Sequence, residues 1–394
     1  MISGLITHAL RHCINLLCLA VPLVCLSHHS LAADRWKSLA QPVFQTIEHS
    51  DRPLVGPIRA TAQDSDGYIW LVSDTTLWRW DAYQLIQVRF DLPTTKSGII
   101  PDVNTIKLDP NGVLWVGTTN GLYRINKNPL QLESVAVNAL NKQSIELLEF
   151  DFRGGKKRIF MGNEYHVLEW QVGKQTIERL SLSKSGENRV HAMVIDAKHQ
   201  LWVGTNDGLL IKSLDAPSKS PLLLSSTLLN ASRISALFTD STQQLWIGTA
   251  KDGVFLIDQD QILHSISIPS QSDSYPWIYD ITEPQPGIIW FGTYGKGILE
   301  YAIESQTVTA IRQQKGLTRN LLDNDIWSFF KDKRGIIWVG TRLGVNIYNP
   351  SQSAFLYLPG GMNASNAIHD SQFFSVIATK DDQLWLGTGS NGIE

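Results

Sequence analysis

The chain of 394 residues has only three cysteines, and all of them lie within its first 33 residues. They are Cys13, Cys18 and Cys25. The rest of the chain therefore has no disulfide, no thiolate metal ligand and no cysteine nucleophile. Its folded part must be stabilised by core packing alone.

Familiar catalytic motifs and a surplus of basic residues are also missing. The sequence has no Gly-x-Ser-x-Gly, no His-Glu-x-x-His and no phosphate-binding GxxxxGK[ST] loop. The segment that begins at Asp64 (Asp-Ser-Asp-Gly) lacks the full spacing of a calcium loop. The net charge is −3, which does not favour nucleic acid or an anionic membrane as a partner. We therefore expect a non-enzymatic protein with no cofactor, no metal and no nucleic-acid partner.

No apolar run of membrane-spanning length follows residue 33. Within the first 33 residues, Arg11 precedes an apolar run over residues 14–26. The small-residue sequence Ser-Leu-Ala or Leu-Ala-Ala then ends this N-terminal segment at Ala32 or Ala33. This arrangement is typical of a secretory signal peptide over residues 1–33, which predicts a periplasmic protein. An uncleaved anchor helix is the alternative, but thirteen residues are short of the roughly twenty that a span needs.

The sequence does contain one phrase repeated eight times, seen most clearly in Asp-Lys-Arg-Gly-Ile-Ile-Trp-Val-Gly-Thr at 332–341. Each copy has an aromatic anchor, and successive anchors lie 42 to 48 residues apart. The anchors are Trp70, Trp115, Phe160, Trp202, Trp246, Trp290, Trp338 and Trp385. A steady period of this length indicates a repeat architecture with one continuous core.

Each repeat predicts four short antiparallel strands. An apolar run precedes Asp-x-x-Gly, which is a hairpin signal because Asp accepts backbone N–H groups and Gly supplies a positive φ. The anchor strand, a second Gly-containing turn, a third strand and a looser fourth strand follow. Four such strands per repeat form one blade of an all-β propeller. The anchor tryptophan is expected to fill the wedge between blades, where its indole N–H needs a buried acceptor.

The repeat, D-x-x-G-x-[LI]-W-[VI]-G-T with the glycine turn after it, resembles the two-component regulator propeller repeat. Residues 109–126 and 332–349 match that pattern nearly throughout. The resemblance implies the exported, ligand-sensing input region of a membrane-bound receptor with a histidine kinase or diguanylate cyclase effector. The chain stops at Glu394, inside the eighth repeat, so we expect a truncated receptor that lacks its effector. A stand-alone periplasmic scaffold for protein–protein contacts and a propeller lyase or hydrolase are the alternatives.

The number of blades is open between two closures. In the favoured one, seven repeats form a ring over residues 40–360, and residues 361–394 are an incomplete eighth repeat that begins a second propeller. In the other, all eight repeats close into one ring, and the leader near residues 44–47 supplies an outer strand to the last blade. Strand exchange of this kind removes exposed sheet edges.

Binding residues are expected around one mouth of the central channel, where the inner strands begin and the turns between second and third strands lie. The candidates there are Arg59, Asn104, Arg189, Arg233, Trp277, Tyr279, Trp327 and Arg342, with Lys296 beside them. Arginines and aromatic rings together could hold an anionic or sugar-like ligand. We predict a carbohydrate or another periplasmic small molecule as partner, with receptor dimerisation as a second possibility.

Overall fold

The computed structural model describes most of the repeats in detail. The described residues are 42–49, 52–53, 56–73, 76–88, 102–128, 130–137, 140, 143–180, 189–215, 222–223, 229, 232–268, 275–314, 319–354, 372–379, 383–390 and 392–393. The predicted signal peptide lies outside them. Two units result: one consists of 44–314 with 319–350, and the other includes 351–394.

The first unit is a ring of seven four-stranded antiparallel blades, and the predicted all-β propeller is confirmed. Blade 1 consists of Ile58–Gln63, Ile69–Ser73, Thr76–Trp80 and Leu85–Val88. Blade 2 consists of Val103–Leu108, Leu114–Thr118, Gly121–Lys127 and Leu130–Ser134. Blade 3 consists of Leu147–Asp151, Arg158–Gly162, Val167–Gln171 and Ile177–Leu180. Blade 4 consists of Val190–Ile195, Gln200–Thr205, Gly208–Ser213 and Leu222–Leu223. Blade 5 consists of Ile234–Thr239, Leu245–Thr249, Val254–Ile257 and Leu263–Ile266. Blade 6 consists of Ile278–Gln285, Ile288–Thr293, Ile298–Ala302 and Thr307–Ile311.

Blade 7 takes three strands from the end of the ring and its outer strand from the beginning. Ile326–Lys331, Ile337–Thr341 and Gly344–Tyr348 are followed in the sheet by Phe44–Thr46. Phe44 pairs with Tyr348 and Thr46 with Asn346, so the first described strand closes the ring. The leader strand therefore serves the seventh blade, and the eight-blade closure is wrong. The looser fourth strand of the seventh repeat is expected from the sequence at 354–359, which lies outside the described residues from 355 onward. Phe44–Thr46 holds that place in the sheet.

Short elements complete the description. Glu48–His49 pairs with Arg52–Pro53, and two 3-10 turns cover Arg153–Gly155 and Pro350–Ala354. In the second unit, Phe373–Ala378 pairs with Leu384–Thr388 as the hairpin of the eighth repeat. Among the described residues, no helix has the length and apolar character to cross a membrane.

Among the described residues, the hydrophobic core of the ring consists of seven clusters, one at each seam between neighbouring blades. The anchor of one blade packs against the second strand of the next, as Trp70 does with Val116 and Trp246 with Phe291. Trp338 of blade 7 packs against Leu71 of blade 1, which closes the circle. The seven ring anchors are all at most 5% exposed, which confirms that they fill seams and do not stack on ligand.

The turn aspartate is the buried acceptor that the anchor indole needs. In blade 5, Asp240 Oδ1 accepts the backbone N–H groups of Thr242 and Gln244, while its Oδ2 accepts Trp246 Nε1 at 2.8 Å. The same indole-to-aspartate bond occurs in four other blades, for Trp70, Trp115, Trp202 and Trp338. One carboxylate thus shapes the hairpin and fixes the tryptophan, which explains why Asp and Trp recur at a constant spacing.

The glycine and threonine after the anchor allow close packing and close the next turn. A Cβ on Gly340 of blade 7 would lie 2.5 Å from the Ile58 carbonyl oxygen of blade 1, so only glycine fits there. Thr341 Oγ1 donates to the Gly344 carbonyl at 2.9 Å across the turn between second and third strands. Blades 2, 4, 5 and 6 repeat this bond. The Gly-Thr pair is therefore part of the scaffold.

Candidate functional site at the channel mouth

The inner strand of every ring blade except blade 3 carries a β-bulge near its first residue. Pairing with the second strand skips one residue, such as Arg59 between Ile58 and Ala60, or Tyr279 between Ile278 and Asp280. A bulge re-aims the side chain of the extra residue and frees it from the ladder. The bulged residues of the ring are Arg59, Asn104, His191, Ser235, Tyr279 and Trp327.

A cavity of 430 Å³ lies among these positions. It is lined by Arg59, Asn104, Glu146, Arg189, Tyr279 and Trp327. These residues come from the beginnings of six different inner strands, so the cavity lies where the central channel opens. Five of the eight residues predicted from the sequence are brought together there. A volume of this size suits a small ligand.

One side of the mouth is an arc of aromatic rings with an arginine at each end. The Arg233 Cζ atom lies 4.3 Å from the ring centre of Trp277, and Trp277 lies 5.1 Å from Tyr279. Tyr279 lies 6.4 Å from Trp327, and the Arg59 Cζ atom lies 5.3 Å from Trp327. Both arginine contacts are within the range of cation–π attraction. The arc offers flat apolar faces flanked by positive charge.

The opposite side of the mouth is polar. Asn104 Nδ2 donates to Ser144 Oγ at 3.3 Å and to the Ile145 carbonyl at 3.2 Å. Arg189 lies 3.7 Å from a Glu146 carboxylate oxygen and 3.3 Å from one of Glu164. Burial, together with Glu164, raises the pKa of Glu146, although Arg189 opposes the shift.

Four predicted residues at this face do not line the cavity, and two of them, Arg342 and Lys296, lie outside the aromatic arc as well. The Arg342 guanidinium is held by Asp323 at 2.9 Å and by Asp325 at 3.0 Å. Lys296 is exposed in the turn of blade 6, where its backbone N–H donates to Thr293 Oγ1. Trp277 and Arg233 complete the aromatic arc behind the lining residues. Whether any of these residues binds ligand stays a prediction.

Sequence reasoning missed Glu146, His191 and Ser235. Counting back from Phe160 places the inner strand of blade 3 three residues too late, because its hairpin turn is three residues longer than in blade 2. Alignment on Asp151, the turn aspartate, would have given Glu146 the place that Asn104 has in blade 2.

His191 and Ser235 occupy the bulge in their own blades and follow Arg189 and Arg233 by two residues. His191 Nε2 lies 2.7 Å from Asn206 Oδ1, and Ser235 Oγ donates to the Ile278 carbonyl.

A titratable carboxyl group follows the aromatic arc along the inner strand of blade 6. Asp280 accepts the Phe329 N–H at 2.6 Å and the Ile281 N–H at 2.8 Å. Burial raises the pKa of Asp280 to about 6, against the opposing effect of these two bonds.

No group of three or more His, Cys, Asp or Glu side chains suited to a metal occurs among the residues that the structure describes.

Comparison with known proteins agrees with the repeat and the fold. Residues 98–120 and 320–342 match the family described as Two component regulator propeller. A histidine kinase P4 of Formosa agariphila is 24% identical over 279 residues, which are 66% of this chain and 20% of that protein. The chain thus spans about a fifth of the length of this curated relative.

Solved structures show the same fold at low identity. The extracellular domain of a hybrid two-component system from B. thetaiotaomicron aligns with a TM-score of 0.70 at 19% identity, over 89% of this chain and 47% of that one. A virginiamycin B lyase from Staphylococcus aureus aligns with a TM-score of 0.58 at 12% identity, over 77% and 98%. These identities show the propeller architecture alone. This chain is therefore a seven-bladed propeller in which two segments match the two-component regulator propeller repeat.

Proposed function

We propose that this chain is the exported, ligand-sensing input region of a membrane-bound two-component or diguanylate cyclase receptor. The repeat family and the receptor ectodomains that share the fold support a sensor and not a catalyst. The observation that carries the proposal is the channel-mouth cavity, because the bulged residues around it are the positions released from blade pairing. Export through the segment at 1–33 and a separate effector belong to the same proposal.

The ligand we propose is a carbohydrate or another small polar molecule of the periplasm. Tyr279 and Trp327 offer faces on which a sugar ring can stack, and Arg59, Asn104 and Arg189 offer hydrogen-bond donors around the same cavity. Small-molecule sites commonly combine aromatic walls with a few placed polar groups.

Calorimetric titration of the chain with neutral and acidic mono- and disaccharides tests this function. At least one compound should bind, and Trp327→Ala should weaken it about 10-fold or more through the lost stacking surface. Lys156→Ala, an exposed change in the hairpin turn of blade 3, is the matched control and should leave binding unchanged. A folded protein that binds none of these compounds but captures a partner protein would favour the scaffold alternative instead.

A further inference from the structure

Part of the mouth holds an arginine, Arg233, that no carboxylate of the described residues pairs. Arg189 and Arg233 directly precede the inner strands of blades 4 and 5, and Trp277 holds the equivalent place in blade 6. We call Arg189, Arg233 and Trp277, with His191 between the arginines in sequence, the cationic corner. Because the three entry positions belong to successive blades, their side chains are neighbours around the axis.

Charge pairing in the cationic corner is incomplete. Arg189 has two glutamate partners, Glu146 and Glu164. Arg233 forms no ion pair with any carboxylate of the described residues, and its charge rests against the Trp277 ring at 4.3 Å. Burial and the nearby Arg189 both lower the pKa of Arg233. Burial lowers the pKa of His191 too, and the two arginines add to that shift. Each of these groups therefore lies in an electropositive field.

Hydrogen-bond donors in and beside this corner also lack acceptors. The Nε atoms of Arg189 and Arg233 and the indole Nε1 atoms of Trp277 and Trp327 are enclosed, yet none has a partner among the described residues. All four can only donate. Buried polar groups are normally paired, and an unpaired one is costly. A molecule rich in acceptor atoms is therefore the partner that would satisfy this set.

We propose that the cationic corner is an oxyanion subsite, so that the sensed ligand is a ring-bearing small molecule with a carboxylate or sulfate group. The oxyanion accepts from Arg189, Arg233 and the Trp277 indole, and the ring stacks on Tyr279 and Trp327. Arginine suits this role because its planar donor fork matches carboxylate and sulfate oxygens. The inference rests on the proposed function, since it names the chemistry of the molecule that the mouth cavity would bind.

The test follows the indole and arginine Nε–H signals of the ¹⁵N-labelled chain by NMR during titration. The probes are sodium D-galacturonate, D-galactose and sodium sulfate, each against sodium chloride at matched ionic strength, because surface charge effects are screened by salt. Trp277→Phe and Trp327→Phe assign the two indole signals. We expect galacturonate and sulfate to shift the Trp277 and arginine signals, and galacturonate to shift Trp327 as well.

Arg233→Gln should weaken galacturonate about 10-fold to 100-fold, as expected for loss of a charge-assisted bond. Arg233→Lys keeps the positive charge but lacks the planar donor fork, so its affinity for galacturonate should lie between those of the wild type and Arg233→Gln. This intermediate affinity distinguishes loss of recognition from misfolding. Arg179→Gln, an exposed change on the outer strand of blade 3, is the matched control. If galactose shifts the Trp327 indole signal as strongly as galacturonate does, that result would overturn the oxyanion subsite. It would leave the proposed function standing. No shift with any probe would count against both.

Discussion

His199 of blade 4 reaches across the seam to Asp151 of blade 3, with 2.9 Å between its Nε2 atom and an Asp151 carboxylate oxygen. Blade 3 has Phe160 as its anchor, so its turn aspartate has no indole to accept. Arg158 and His199 take the place of the indole, and the second ring nitrogen of His199 contacts Asp215. His199 has a φ of 62°, a left-handed conformation that blades 1, 2, 6 and 7 fill with glycine. The seam between blades 3 and 4 thus has ionic contacts in addition to the packing of Phe160.

This contact predicts an acid-sensitive seam. Burial raises the pKa of the enclosed Asp151 carboxyl, but His199, Arg158 and Arg153 together outweigh burial and depress it to about 2, from an ordinary 3.8. Because the folded-state pKa is lowered, the carboxylate stabilises the fold above its unfolded pKa, and that stability disappears as the pH falls through about 2. Asp151→Asn should therefore lower the free energy of unfolding by about 2 kcal/mol near neutral pH, with little difference near pH 2.

Urea unfolding across the pH range measures that difference. His199→Asn removes the imidazole but tolerates the left-handed backbone, and it should cost about 1–2 kcal/mol at neutral pH. Asp260→Asn, an exposed carboxylate at a turn tip of blade 5, serves as the control and should stay within about 0.5 kcal/mol. A constant gap between wild type and Asp151→Asn at all pH values would contradict the assignment.

The outer strand of blade 7 predicts a second effect on stability. Phe44 is 1% exposed and packs against Trp290 at 6.1 Å and Tyr348 at 5.7 Å. Phe44→Ala should lower the free energy of unfolding by about 3–5 kcal/mol, as for other buried aromatic truncations. Gln45→Ala, on the exposed side of the same strand, should change it by less than about 0.5 kcal/mol.

Hydrogen exchange distinguishes loss of the ring closure from general destabilisation. Protection should fall first in Gly344–Tyr348, the strand that pairs with Phe44–Thr46. Equal loss of protection in blades 3 and 7 would show that the strand does not hold the ring closed in the way the structure indicates.

Glu146 predicts how ligand affinity depends on pH. Its carboxylate competes for Arg189, and burial raises its pKa above the ordinary glutamate value. Protonation as the pH falls through that pKa removes the competing charge, so an anionic ligand should bind more tightly on acidification. Glu146→Gln should strengthen galacturonate binding roughly 2- to 5-fold near neutral pH and flatten the pH profile. Glu133→Gln, in an exposed ion pair on blade 2, is the control; an unchanged profile in Glu146→Gln would contradict the prediction.

The repeat period predicted the fold well because the recurring residues have local tasks. Asp240 and Trp246 belong to one hairpin, so their spacing is visible in the sequence and independent of the rest of the ring. Blade 6 shows what such local patterns cannot predict: it has Pro284 at the aspartate position, and Trp290 Nε1 donates instead to Glu300 on the third strand at 2.7 Å. Which neighbour compensates for a missing residue depends on packing across strands.

The candidate site was predicted only in part for a similar reason. Arg59, Tyr279 and Trp327 lie at one fixed distance from their anchors, so counting found them. Glu146 precedes a hairpin turn of unusual length, so the count back from Phe160 stopped three residues short of it. The bulge that releases these side chains depends on how two strands pair and has no sequence signature. The competition of Glu146 and Glu164 for Arg189 arises only when blades 3 and 4 meet.

The pairing of Gln45 with Ile347 joins positions about 300 residues apart. During synthesis, the leader strand leaves the ribosome first, yet its sheet partner is among the last parts of the ring to be made. Until then the third strand of blade 7 and the leader each present an unsatisfied edge, and such edges attract other chains. Completion of this fold should therefore be slow compared with formation of its hairpins, since distant contacts are formed late. A chaperone that shields extended segments would have its greatest effect on this final step.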